Sequence, residues 1–135
     1  MIKKVFVNGT FDILHPGHVA LLTYARSLGD FLLVGVDSDD RVKQLKNIER
    51  PVNDIDFRVK MLESLKPVNR AVVFNSEQEL EEIVQDYAPD FMIIGSDYKH
   101  RKVVASEFAK HLLFFERDFR YSSTQIIDTI RKELM

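Results

Sequence analysis

The 135-residue chain has no cysteine and no tryptophan, and only five glycines and four prolines. Without cysteine there is no disulfide, no thiolate metal site and no cysteine nucleophile. No apolar run approaches the ~18 residues of a membrane span. The start, Met1-Ile2-Lys3-Lys4, leads straight into an apolar segment and has no signal-peptide core, so a cytoplasmic location is expected. Neither sign of charge dominates: 19 Lys and Arg stand against 21 Asp and Glu. Bulk electrostatics therefore draws the chain to neither nucleic acid nor membrane. No internal repeat, low-complexity segment or linker interrupts it. What remains is an ordinary globular composition, 45% hydrophobic and 30% charged, at a length that suits one domain over residues 1–135.

Short runs rich in Val, Ile, Leu and Phe lie at 5–7, 31–36, 71–74, 91–94 and 112–115. They lack polar alternation, as strands covered on both faces do. Helical patterns fall between and after them, at 16–28, about 39–45, 54–65, 76–87, about 103–110 and 123–134. Ser76-Glu77-Gln78-Glu79 matches a capping box, and Asp54 and Ser122 or Ser123 suit N-caps. Gly29, after Leu28, reads as a helix-ending glycine. Strand–helix alternation of this kind predicts an α/β fold: a single Rossmann-like doubly wound domain with a five-stranded parallel sheet in the order 3-2-1-4-5. The order reverses between the first and fourth strands, and ligands bind at the carboxyl ends there. Residues 9–18 and 95–102 leave the sheet at that point, while 46–53 reads as a mobile loop.

The first of these segments is the most informative in the chain. Gly9-Thr10-Phe11-Asp12-Ile13-Leu14-His15-Pro16-Gly17-His18 joins a strand to a helix whose first turn suits Pro16. His15 and His18 share a helical face. The helix start offers free N–H groups and a favourable dipole to an anion, and Gly9 and Gly17 clear side chains from the backbone. No further His or Cys cluster accompanies the pair, as a zinc site would need, so no dedicated metal site is expected. Asp12 reads as an acceptor that shapes the loop.

The decapeptide resembles the HxGH signature of the cytidylyltransferase-like nucleotidyltransferase superfamily, with Gly9-Thr10-Phe11-Asp12 similar to its phosphate loop. Arg117 and Ser122-Ser123-Thr124 resemble the second signature, an Arg ahead of a Ser-Thr-Thr helix cap. Arg120 departs from the pattern, which has glycine two residues before the serine. The resemblance implies that an acceptor phosphate attacks the α-phosphate of a nucleoside triphosphate and pyrophosphate leaves. His15, His18, Lys46 and Arg117 would then be catalytic, and Arg58 would bind the acceptor. Gly9, Thr10, Phe11, Gly17, Asp39, Asp97, Ser122, Ser123 and Thr124 would bind nucleotide or phosphate.

Each of these residues has a plainer reading. Ser122, Ser123 and Thr124 also suit simple capping, Lys46 and Arg58 a solvated face, and Asp37, Asp39 and Asp97 ordinary turns. Mg²⁺ is expected to arrive with the triphosphate. The expected partners are a nucleoside triphosphate, a small phosphorylated sugar or polyol, and a second copy in a homodimer, with no nucleic acid and no membrane.

Two branches of the superfamily compete. Arg50-Pro51-Val52-Asn53 and Gly95-Ser96-Asp97-Tyr98 look like the adenylyltransferase domain that makes ADP-heptose for lipopolysaccharide cores. Chain length and Arg117 look more like glycerol-3-phosphate cytidylyltransferase, which makes CDP-glycerol. A nucleotide-binding sensor that turns nothing over is the alternative of a different class, although such a module has no need of the histidine pair.

Overall fold

A computed structural model of the chain describes residues 1–96, 102–116 and 122–134. The five apolar runs form strands β1 (Lys4–Gly9), β2 (Phe31–Asp37), β3 (Arg70–Phe74), β4 (Phe91–Gly95) and β5 (His111–Phe115). All pair in parallel, in the expected order β3-β2-β1-β4-β5. The helices are α1 (Pro16–Ser27), α2 (Asp39–Leu45), α3 (Ile55–Glu63), α4 (Glu77–Tyr87) and α5 (Ser123–Leu134). Ser38, Asp54 and Ser76 each cap a helix by accepting a hydrogen bond from the backbone N–H three residues on.

Alternation along β1 builds two cores. Val5 and Val7 pack with Leu22 of α1 and Leu62 of α3, whereas Phe6 packs with Leu80 and Val84 of α4. Helices thus cover both faces, which explains why β1 reads as a continuous apolar run. Each side chain fully withdrawn from water contributes roughly 1.5–3 kcal/mol. Among the described residues, no helix is long and apolar enough to cross a membrane.

Two local expectations fail. The helix expected at 103–110 is a single 3-10 turn, Ser106–Phe108. Val103 and Ala105 are both buried in the α4-side core, a two-residue spacing that no helix face supplies, and Ala105 takes a left-handed φ of 69°. Gly29 follows the α1 cap Leu28 as expected, but it does not take the left-handed φ of a glycine cap. A Cβ at Gly29 would instead lie 2.7 Å from the Lys3 carbonyl and 2.8 Å from Val5 Cγ2. Its lack of a side chain lets the chain pass close to β1.

The amino ends of the strands are pinned. Tyr87 Oη donates to the carbonyls of Val5 (3.1 Å) and Phe31 (3.0 Å), and burial pushes the phenol up to about 12. The stability this phenol supplies is present below its ordinary value near 10 and is lost as pH rises through 12. Asp90 accepts from the Lys4 N–H at 2.9 Å and faces Lys110 Nζ at 3.2 Å. The Lys4 bond, then the lysine, hold its carboxyl below the usual range. With that end fixed, α1 and α4 leave on opposite faces, and a crevice opens at the carboxyl ends of β1 and β4.

Candidate functional site

A cavity of about 810 Å³ occupies this crevice. Of the residues expected to form the site, Gly9, Thr10, Phe11, His15, Gly17, His18, Lys46, Ser122, Ser123 and Thr124 line it. Asp39 and Arg58 do not. Asp97 and Arg117 lie outside the described residues.

The loop that carries the histidines is tightly shaped. Phe11 adopts a left-handed φ of 51° although its side chain is bulky, a conformation that costs on the order of 1–3 kcal/mol. Its ring folds back so that a Cβ at Gly9 would meet it at 3.0 Å. Gly9 therefore makes room for Phe11, which in turn lies 5.3 Å from the His18 ring. Asp12, as expected, is structural: buried, it accepts from the N–H groups of Val52 (2.7 Å) and Asn53 (2.8 Å). Asn53 Nδ2 returns a bond to the Asp12 carbonyl at 3.0 Å. The segment 46–53, expected to be mobile, is thereby fastened at its far end.

His15 is the N-cap of α1, and its Nδ1 accepts from the Gly17 N–H at 3.1 Å. His18 Nδ1 accepts from the His15 N–H at 3.3 Å. The two rings stack, 3.8 Å between centroids and 25° between planes. Because each Nδ1 accepts, the proton of each neutral ring sits on Nε2. Two N–H donors are thereby fixed in one tautomer and one orientation. The price in backbone donors is complete: Pro16 has none, Gly17 bonds His15 Nδ1, and His18 and Val19 bond the His15 carbonyl at 3.0 and 3.2 Å. The expectation of free N–H groups at this helix start is therefore corrected.

The start of α5 is built differently. Ser122 Oγ accepts from the Gln125 N–H at 3.0 Å, and the Ser122 carbonyl accepts from Ile126. The first helical N–H groups, on Ser123 and Thr124, have no intrahelical acceptor. Ser123 Oγ instead donates to the Ile13 carbonyl at 2.8 Å, which ties α5 to the histidine loop.

Arg58 requires a correction. Expected to hold the acceptor, it is 1% exposed, and its donors are committed to protein. Nε bonds the Asn53 carbonyl (3.0 Å), Nη1 the carbonyls of Thr10 and Asp37 (both 2.8 Å), and Nη2 Asp39 Oδ1 (2.7 Å). It clasps the chain leaving β1, the chain leaving β2 and the 46–53 segment. Asp39, expected at the nucleotide, is the carboxylate partner of this clasp and also accepts from the Ile55 N–H.

Sequence reasoning gave no site role to four polar residues that line the cavity: Asn8, Arg41, Glu77 and Lys102. Arg41 Nε pairs with Asp37 at 2.8 Å, and Asp37 also accepts from the Thr10 hydroxyl at 3.3 Å. The i, i+4 spacing of Asp37 and Arg41 signals the pair. Nothing local marks Asn8, and Lys102 closes the basic run Lys99-His100-Arg101-Lys102, which reads from sequence as a solvated charge cluster.

A stacked imidazole pair and a helix start thus line one cavity at the switch point of a 3-2-1-4-5 sheet. The model of the cytidylyltransferase-like family matches residues 6–129. The chain belongs to the cytidylyltransferase-like family. This family member is 41% identical over 130 residues to the bifunctional protein HldE of Helicobacter hepaticus, across 96% of this chain and 27% of that protein. The same protein from Helicobacter pylori strain P12 is 41% identical over 130 residues, across 96% of this chain and 28% of that one. The cytidylyltransferase-like chain thus spans between 27% and 28% of these relatives' length. It superposes on the lipopolysaccharide core biosynthesis protein of Thermoplasma volcanium GSS1 with a TM-score of 0.73 and 27% identity, covering 87% of this chain and 99% of that one. A protein of unknown function from Archaeoglobus fulgidus matches at a TM-score of 0.64 and 20% identity, over 89% and 93% of the two chains, and shares the fold.

Proposed function

We propose that the chain transfers a nucleoside monophosphate from a nucleoside triphosphate to a sugar phosphate, and that the pair is ATP and heptose 1-phosphate, giving ADP-heptose and pyrophosphate. The observation that carries the transfer is the stacked His15–His18 pair, with both Nδ1 atoms held by backbone N–H groups. An oxygen of the acceptor phosphate attacks the α-phosphorus. The bond from that phosphorus to the bridging oxygen breaks, and pyrophosphate leaves with the electron pair. No proton need be removed from the nucleophile, so the residues contribute position and charge. The Nε2–H groups donate to phosphoryl oxygens as charge builds. Lys46 and the N–H groups of Ser123 and Thr124 hold the phosphates that depart.

Mg²⁺ would accompany the triphosphate. Among the described residues, no group of three His, Asp or Glu is placed to hold a metal, and Asp12 and Asp37 are engaged by protein donors. Phosphate oxygens and water would supply its coordination. The choice of heptose follows the likeness of Arg50-Pro51-Val52-Asn53 to ADP-heptose-forming domains, together with the relatives named above. A cytoplasmic homodimer completes the proposal.

The test is a matrix of the four ribonucleoside triphosphates against heptose 1-phosphate, other sugar 1-phosphates and glycerol 3-phosphate, read by pyrophosphate release. ATP with heptose 1-phosphate is expected to give the fastest release. Faster release from CTP with glycerol 3-phosphate would overturn the substrate assignment. Triphosphate binding with no release from any acceptor would make the chain a sensor.

A further inference from the structure

The cavity reaches over the end of β1 onto both faces of the sheet. His15 and His18 belong to α1, which covers the face of Val5 and Val7. Asn8 stands in phase with Phe6, on the face that packs against α4. The lining on that side includes Asn8, Glu77, Leu80, Ile94, Lys102 and Val103. Among them Asn8 is unusual. Its Oδ1 is shielded from solvent and accepts no hydrogen bond among the described residues. A shielded acceptor with no donor is unfavourable, and it is normally completed by something that binds.

We propose that Asn8 is a specificity-determining residue that takes a hydrogen bond from a hydroxyl of the acceptor sugar phosphate. The proposal rests on the transferase reading above. Three features select a sugar hydroxyl. A carbonyl oxygen repels phosphoryl oxygens, so Oδ1 does not face the triphosphate. A hydroxyl supplies the donor that Oδ1 lacks. Finally, attack roughly in line with the leaving group brings the acceptor from the side opposite the departing pyrophosphate. The histidine pair belongs to the α1 side of β1, and Asn8 opens onto the other. The apolar residues Leu80, Ile94 and Val103 line the same side of the cavity, and Asn8 Oδ1 is itself shielded from solvent, so a lost partner there is felt.

The experiment compares the wild type with Asn8→Val, using ATP with heptose 1-phosphate and its monodeoxy derivatives. With the intact acceptor, Asn8→Val should lose roughly 10- to 100-fold in kcat/KM, the scale of one hydroxyl left without its partner. The loss should fall on the acceptor KM and leave the ATP KM alone. One monodeoxy acceptor should be as poor for the wild type as the intact acceptor is for Asn8→Val, and the two deletions should not add. The thermal midpoint should hold or rise, because the substitution removes an unpaired polar atom. A purely structural asparagine would lower it. Asn8→Asp keeps an acceptor oxygen at the same reach, and it should retain the preference for the intact over the monodeoxy acceptor. Additive losses for every monodeoxy derivative, or an ATP KM raised with the acceptor KM unchanged, would overturn the role. If the wild type releases pyrophosphate with no acceptor, the transferase reading fails and this role with it.

Discussion

Two helices begin at this cavity, and their first turns solve the same problem in different ways. At α1 the capping residue is a histidine whose ring reaches the Gly17 N–H, and Pro16 has no N–H to offer. Every backbone donor of that turn is satisfied within the protein, and its remaining donors belong to the two imidazole side chains. At α5 the cap is Ser122, whose hydroxyl accepts from the Gln125 N–H. The amides of Ser123 and Thr124 keep their place beside the cavity. One start thus presents side-chain donors fixed by backbone, and the other presents backbone donors in the helix field. Side-chain donors can be tuned by substitution, whereas backbone donors survive it. The two halves of the cradle should therefore respond very differently to mutation.

The largest effect should come from the clasp under the α1 side. Arg58→Met leaves the carbonyls of Thr10, Asp37 and Asn53 and the carboxylate of Asp39 without their partner. Asp39 is partly exposed, so the cost comes chiefly from the orphaned carbonyls and should be about 3 kcal/mol. Denaturant unfolding should show a loss of that order, with turnover falling as the histidine loop loosens. A loss below about 1 kcal/mol would mean that the loop is shaped without the clasp.

Next come the histidines. His18→Ala should lower kcat by ~10²-fold or more, the scale for one preorganised donor. His15 has two duties, which substitution can separate. His15→Asn keeps a capping side chain and loses Nε2, so its thermal midpoint should stay near the wild-type value while turnover falls like that of His18→Ala. His15→Ala should lose the turnover and also about 1 kcal/mol of cap. Wild-type turnover in His15→Asn would reduce this ring to a cap and erase the contrast with α5.

These residues also mark what the sequence revealed and what it concealed. The strand order, the bounds of α2 and α5, and the closeness of His15 to His18 follow from local patterns, because hydrophobic period and i, i+3 spacing are local properties. Arg58 is different. Its fate depends on the meeting of Thr10, Asp37, Asn53 and Asp39, spread over more than forty positions, and no local pattern reports such a meeting. Read locally, an arginine on an amphipathic helix looks like a solvated or ligand-binding cation. Asn8 was missed for a related reason: a strand asparagine looks like an edge position until both neighbouring strands are placed. The α1 start was misjudged on a finer point. A histidine at the cap consumes the amides that its position otherwise offers, and that depends on ring orientation.

The smallest effects, and the finest test of the contrast, lie at α5. Ser122→Ala removes the cap and should cost about 1 kcal/mol of stability, seen as a lower thermal midpoint, without removing the Ser123 or Thr124 N–H. Thr124→Val removes a hydroxyl that Arg50 Nη2 approaches at 3.4 Å and leaves the amide in place. If backbone donors hold the departing phosphates, the triphosphate KM in Thr124→Val should rise by less than about 10-fold, the worth of one ordinary neutral hydrogen bond, and kcat should barely move. A kcat loss as large as that of His18→Ala would show that α5, like α1, works through its side chains. The chemistry of the cradle would then rest on side chains at both ends, and the amides of α5 would serve only to start the helix.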